Sequence, residues 1–200
     1  ELFTADRKFN WESFRETVNG LLESQQSLVV ILNTPAHNPT GYSLTLEDWD
    51  NVVRVLTEAA ETGKAIALVV DAAYIDFAGD EEEYRRFLPK LEELPANVLP
   101  IIAYSLSKTY TLYGTRCGAM ICMAKTKEIA DEFRRVCEYS SRGSWSNSAR
   151  VGQVILSKIY ADKELLRRFS AGSDGEAVNK YWSEENGEIK YQIGDGCEID

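Results

Sequence analysis

Histidine, methionine and cysteine are scarce in this sequence: one histidine, two methionines and four cysteines in 200 residues. Cys117, Cys122, Cys137 and Cys197 contain no C-x-x-C pair, and with only one histidine the sequence shows no zinc-ligand pattern. Neither a metal centre nor a disulfide framework is expected. Free thiols fit a reducing compartment, so a cytoplasmic location is expected. Ser-His or Cys-His catalysis has only His37 to draw on. Positive charge is also short: 22 Lys and Arg face 32 Asp and Glu, for a net charge of −10. That balance argues against nucleic acid or an anionic membrane as a partner, because both are polyanions. No apolar run approaches the roughly 20 residues that span a bilayer. The N-terminal ELFTADRKFN has no basic stretch followed by an apolar one, so no secretory leader is expected. It also lacks a starting Met, and the chain is expected to begin within a longer protein.

What is present is ordinary for a globular domain: 44% apolar and 27% charged residues. The length allows one or two domains with a sizeable core. The charge is uneven. Residues 1–169 hold 24 acids and 20 bases, whereas residues 170–200 hold 8 acids and only Lys180 and Lys190. The sequence SAGSDG opens that second segment as a linker would. Residues 170–200 are therefore set apart as an acidic tail, expected to be mobile, with Asn186-Gly187 as a possible hairpin turn.

The body alternates strand and helix signals. Apolar runs at 27–32, 65–71, 98–104 and 118–123 read as strands, with Pro100 arguing against a fully paired centre for the third. Leu46, Trp49, Val52, Val53, Leu56 and Ala60 recur at helical spacing, and Gly63 follows as a C-cap. Further helices are expected over 81–87, 126–139 and 147–160. Continuous apolar strands separated by helices indicate an α/β fold, a mainly parallel sheet with helices on both faces.

In such sheets, ligands bind at loops leaving the carboxyl ends of strands. Here those loops begin NTPAHNPTG at Asn33, DAAY at Asp71 and SLSKTYTLYGTRCG at Ser105. A desolvated Lys108 would have a lowered pKa and attack carbonyl groups, but a lone loop lysine is more often simply solvated. Asp71 needs a cationic or hydrogen-bonding partner, and it also suits a plain turn. Tyr74 would reach the same cavity or pack on the sheet. Arg116, between Gly114 and Gly118, suits a phosphate and equally suits a surface. Trp49, Val52, Val53 and Leu56 form a core stripe, and Cys117 and Cys122 read as buried, inert thiols.

HNPTG, DAAY and S-x-S-K-x(7)-R-x-G in this order resemble the aspartate-aminotransferase-like superfamily, the fold type I pyridoxal-phosphate enzymes of class I/II. The resemblance covers about residues 1–169, a partial large domain, and implies the following roles. Lys108 would bond covalently to pyridoxal 5'-phosphate and shuttle the proton at the substrate Cα. Asp71 would pair with the pyridine nitrogen. Tyr74 and Asn38 would hydrogen-bond the phenolic oxygen, with Asn38 also near substrate. Ser105 and Arg116, with Ser107 as a weaker choice, would bind the phosphate. Arg142 and Ser146, in SSRGSWSN, would reach the partner subunit's site in a homodimer, with Arg142 facing substrate. His37 is read as a loop residue rather than a base.

The implied activity is transfer of an amino group between an amino acid and a 2-oxo acid. On the same scaffold, a C–S β-lyase, an aminocyclopropane-carboxylate-synthase-like enzyme and a cofactor-binding domain of a transcription regulator are the alternatives. Family members are about twice this long. The aromatic residue stacked on the cofactor ring and the arginine that clamps the α-carboxylate have no match here; Arg167 and Arg168 sit poorly for that role. The 200-residue chain alone is therefore expected to be inactive and not a well-behaved monomer.

Overall fold

The computed structural model describes residues 1–165 and the backbone of three later strands. In chain order come α1 (Trp11–Ser24), β1 (Ser27–Asn33), α2 (Leu46–Ala60), β2 (Ala65–Asp71), α3 (Glu81–Arg85) and α4 (Leu88–Leu91). Then follow β3 (Val98–Ser105), α5 (Leu106–Thr109), β4 (Gly118–Cys122), α6 (Lys127–Trp145) and α7 (Arg150–Ala161). The later strands are β5 (Trp182–Glu185), β6 (Glu188–Ile193) and β7 (Cys197–Glu198).

The main sheet has the order β1-β2-β3-β4. β1, β2 and β3 run parallel, and β4 returns antiparallel along β3. The α/β reading thus stands, with four strands where apolar runs indicated them. Strand alternation explains the core. Leu28, Val30 and Leu32 lie in register with Ile66, Leu68 and Val70, and all six are buried. Val18 and Leu22 of α1 and the Trp49, Val52, Val53, Val55 and Leu56 stripe of α2 complete that core. Trp49 stacks on Phe87 at 4.8 Å between centroids, adding to a burial of about 1.5–3 kcal/mol per large apolar side chain. On the other face of β1, Val29 and Ile31 remain 64% and 66% exposed.

Local signals fix the ends of α2. The Thr45 hydroxyl accepts from the Asp48 N–H at 3.1 Å, and the Asp48 carboxylate accepts from the Thr45 N–H at 2.9 Å. Past its end, Gly63 takes φ +74° and donates its N–H to the Ala60 carbonyl.

Several expectations change. Pro100 sits in β3, between β2 and β4, opposite Leu68. Its carbonyl points toward β4, where Met123 N–H donates to it at 3.0 Å. The β4 ladder begins only at Ile101, so the proline nitrogen lies beyond the paired stretch. The helix expected over 81–87 is two short ones, α3 and α4, with Pro89 in the first turn of the second. α6 runs six residues beyond the expected Tyr139, to Trp145. α1, capped by the Asn10 side chain on the Ser13 N–H at 3.1 Å, was not anticipated.

In the tail, β5 and β6 pair antiparallel with Glu185 opposite Glu188, on either side of the expected Asn186-Gly187 turn. The turn itself, Arg167, Arg168, the boundary at 169/170 and the expected mobility of the tail lie outside the described residues.

Candidate active site

Asn33, Asp71 and Ala103 share one register row, so β1 and β2 end level, β3 runs two residues further to Ser105, and their loops leave from one edge. The Asn33 amide donates to the Asp71 carbonyl at 3.1 Å, and its side-chain oxygen accepts from the Asn38 N–H at 2.7 Å. Asn33 thereby folds the NTPAHNPTG loop back over β2. The Asn38 amide then donates to the Tyr74 hydroxyl at 3.3 Å. Asp71 accepts from the Ala73 N–H at 3.2 Å, which shapes the turn that brings Tyr74 forward.

Lys108 enters from the third loop, on the single turn of α5. Its ammonium stands 5.2 Å from the Tyr74 ring centroid and 4.5 Å from that of Tyr113. The Tyr74 hydroxyl is the main cause that lifts the Lys108 pKa above its ordinary value; burial opposes this and Tyr113 adds to it. The desolvated alternative, with its lowered pKa, does not hold, because Lys108 is only half-buried and stands beside tyrosine hydroxyls.

Ser105 caps α5 by accepting from the Ser107 N–H at 3.2 Å. Ser107 is buried, and its hydroxyl accepts from the Arg116 guanidinium at 3.4 Å. Arg116 occupies the left-handed region, with φ 49°, and also donates to the Tyr113 carbonyl at 3.0 Å. A Cβ on Gly118 would lie 2.5 Å from the Tyr104 carbonyl oxygen, so the tight return after Arg116 requires glycine.

Asn38, Tyr74 and Lys108 thus meet in one set of contacts, and Ser105, Ser107 and Arg116 in a second. Asp71 joins the first by its main-chain carbonyl, through Asn33. Arg142 is exposed near the end of α6, where it donates to the Ser146 carbonyl at 3.2 Å and hydroxyl at 3.0 Å. None of the described hydrogen bonds links it to Lys108. His37 bonds Thr40 at 2.9 Å within its own loop. Cys117 and Cys122 are half-buried rather than buried, and burial pushes the Cys122 thiol up. Two contributors escaped the sequence reading. Asn33 could have been found as the residue level with Asp71, whereas Tyr113 carries no spacing signal.

The donor set suits a phosphorylated carbonyl compound. A guanidinium beside hydroxyl groups matches a phosphate, an amine matches a carbonyl, and a carboxylate matches a protonated ring nitrogen. Among the described residues, no group of His, Cys, Asp and Glu could hold a metal ion, and no helix is long and apolar enough to cross a membrane.

The family model for aminotransferase class I and II matches residues 4–177. The chain belongs to this family. Among class I and II aminotransferases, it is 30% identical to the aromatic-amino-acid aminotransferase of Pseudomonas aeruginosa, over 81% of this chain and 38% of that one. It is 31% identical to the aspartate aminotransferase of Escherichia coli, over 76% of this chain and 37% of that one. A solved aminotransferase from Anaerococcus prevotii superposes with a TM-score of 0.80 at 38% identity, covering 84% of this chain and 41% of that one. The aromatic-amino-acid aminotransferase of Burkholderia pseudomallei, solved covalently bound to pyridoxal phosphate, gives 0.66 at 25% identity, over 80% of this chain and 38% of that one. The chain spans about two fifths of the length of these aminotransferases.

Proposed function

We propose that the intact protein is a pyridoxal-phosphate-dependent aminotransferase and that this stretch carries its cofactor-holding residues. The observation that carries the reading is the meeting of Lys108, Tyr74 and Asn38 at the carboxyl ends of parallel strands, beside Ser105, Ser107 and Arg116. When bound, the cofactor accepts the electron pair left at the substrate Cα. Lys108 Nζ would hold the cofactor through its carbonyl carbon and, when its amine is free of that carbon, would move the proton at Cα. Asp71 keeps a proton on the ring nitrogen, which maintains the ring's electron demand. Asn38 Nδ2 and the Tyr74 hydroxyl hold the ring oxygen, while Ser105, Ser107 and Arg116 hold the phosphate. The substrates are an amino acid and a 2-oxo acid.

The named relatives are all aminotransferases, which favours transfer over the lyase, synthase and regulator alternatives. A homodimer in which Arg142 reaches the partner's substrate is part of the same reading. The free thiols of Cys117, Cys122 and Cys137 support a cytoplasmic location. The test is chemical: the intact protein is incubated with pyridoxal phosphate, reduced with borohydride and peptide-mapped. The label is expected on Lys108. Label scattered over surface lysines would refute the assignment.

A further inference from the structure

Asp76 lies half-buried in the short 3-10 turn that follows Tyr74, two residues past the DAAY motif, and has no role in the site as described so far. Its Oδ2 accepts hydrogen bonds from the Tyr104 hydroxyl at 2.9 Å and the Thr109 hydroxyl at 2.6 Å. Its Oδ1 pairs with the Arg85 guanidinium at 2.9 Å. Tyr104 immediately precedes Ser105, and Thr109 immediately follows Lys108. One carboxylate therefore joins the turn that carries Tyr74 to the helix that carries Lys108.

We propose that Asp76 is a positioning residue: by holding Thr109 and Tyr104, it fixes α5 against the Tyr74 turn and so sets where the Lys108 amine stands. A four-residue helix has too few internal hydrogen bonds to hold its own orientation. Its start is fixed by the Ser105 cap and by the Leu106 N–H donating to the Cys117 carbonyl at 3.1 Å. Lys108 and Thr109 lie at the opposite end. There the Thr109–Asp76 bond ties the residue next to Lys108 to the turn that carries Tyr74. Hydroxyl-to-carboxylate bonds are shorter and stronger than neutral ones, and Arg85 holds the other oxygen of the same carboxylate. The Tyr104 bond draws the end of β3 onto the same anchor.

This inference rests on the reading of Lys108 as the cofactor-binding lysine. Its test is the initial rate at which Lys108 captures pyridoxal phosphate in the intact protein, fixed by borohydride and quantified by peptide mapping. The thermal midpoint is measured alongside. Asp76→Ala and Thr109→Val are each expected to slow capture by about tenfold, because small misplacements of reacting groups lower effective concentration steeply. The double variant is expected to lose no more than Asp76→Ala alone, since that variant already removes the Thr109 bond. Thr109→Ser, which keeps the hydroxyl, is expected to capture at the parental rate.

Equal capture by Thr109→Val and the parent would overturn the proposal and leave Asp76 a structural tie only. Equal slowing in Thr109→Ser and Thr109→Val would overturn it too. Should Asp76→Ala fail to fold, the two Thr109 variants decide alone. Failure of the parent itself to be labelled at Lys108 would instead refute the functional reading on which the inference stands.

Discussion

An amine must lose its proton before it attacks a carbonyl carbon, so the Tyr74 hydroxyl beside Lys108 has a kinetic consequence. With its pKa raised above the ordinary 10.5, Lys108 is charged at neutral pH, and its capture of pyridoxal phosphate should climb through the alkaline range. Tyr74→Phe keeps the ring but removes the hydroxyl that favours the ammonium. The pH–rate profile for capture should then move to lower pH; an unmoved profile would show that the hydroxyl does not set the amine's protonation. Asp71 allows a separate test. Asp71→Ala in the intact protein should leave capture by Lys108 in place and slow turnover by about 10²–10³, the scale for losing one preorganised electrostatic partner. Near-parental turnover would remove Asp71 from the reaction. These residues were legible because each follows a strand by a fixed, short interval within a recurring motif. Asp76, Tyr104, Thr109 and Arg85 were not, because their contacts join segments up to 33 residues apart and no local spacing announces them.

At the scale of elements, the return from α5 into β4 depends on one missing side chain. A methyl on Gly118 would meet backbone, the Tyr104 carbonyl, rather than a side chain that can swing away. Gly118→Ala should destabilise the fold by about 1–3 kcal/mol, the cost of overpacking, and it should loosen the β3–β4 pairing on which Arg116 and Ser107 depend. Thermal unfolding would measure the first effect, and hydrogen exchange at Ile102 and Tyr104, whose N–H groups face β4, the second. A change within error in both would mean that β4 shifts freely. The strands were readable because apolar runs of this length report burial directly. α1 carried a readable signal too, Val18 and Leu22 at a four-residue step behind an Asn10 cap. The end of α6 carried none. Ser140, Ser141, Arg142 and Gly143 have the composition of a loop, yet they continue the helix to Trp145, and Arg142 donates to the carbonyl and hydroxyl of Ser146 just past its end. Local propensity is a weak prior over so short a stretch.

For the molecule as a whole, apolar exposure and net charge act in opposition. Val29 and Ile31 on β1, Met120 and Ile121 on β4, and Val136, Tyr139 and Trp145 on α6 all keep half or more of their surface in solvent. Patches of that kind favour association, whereas a net charge of −10 holds copies of the chain apart. The 200-residue chain should therefore self-associate, and added salt should increase rather than reduce it. At ionic strengths near 0.15 M the Debye length is only about 8 Å, so the repulsion fades while the apolar attraction persists. Ile31→Thr together with Val29→Thr should weaken association without unfolding the core, since both side chains lie on the face away from α1 and α2. Light scattering against salt concentration reads both effects. Association that falls with salt would assign the contact to ion pairs instead, and a monomer at every salt concentration would mean that the exposed side chains are too dispersed to form a sticky surface.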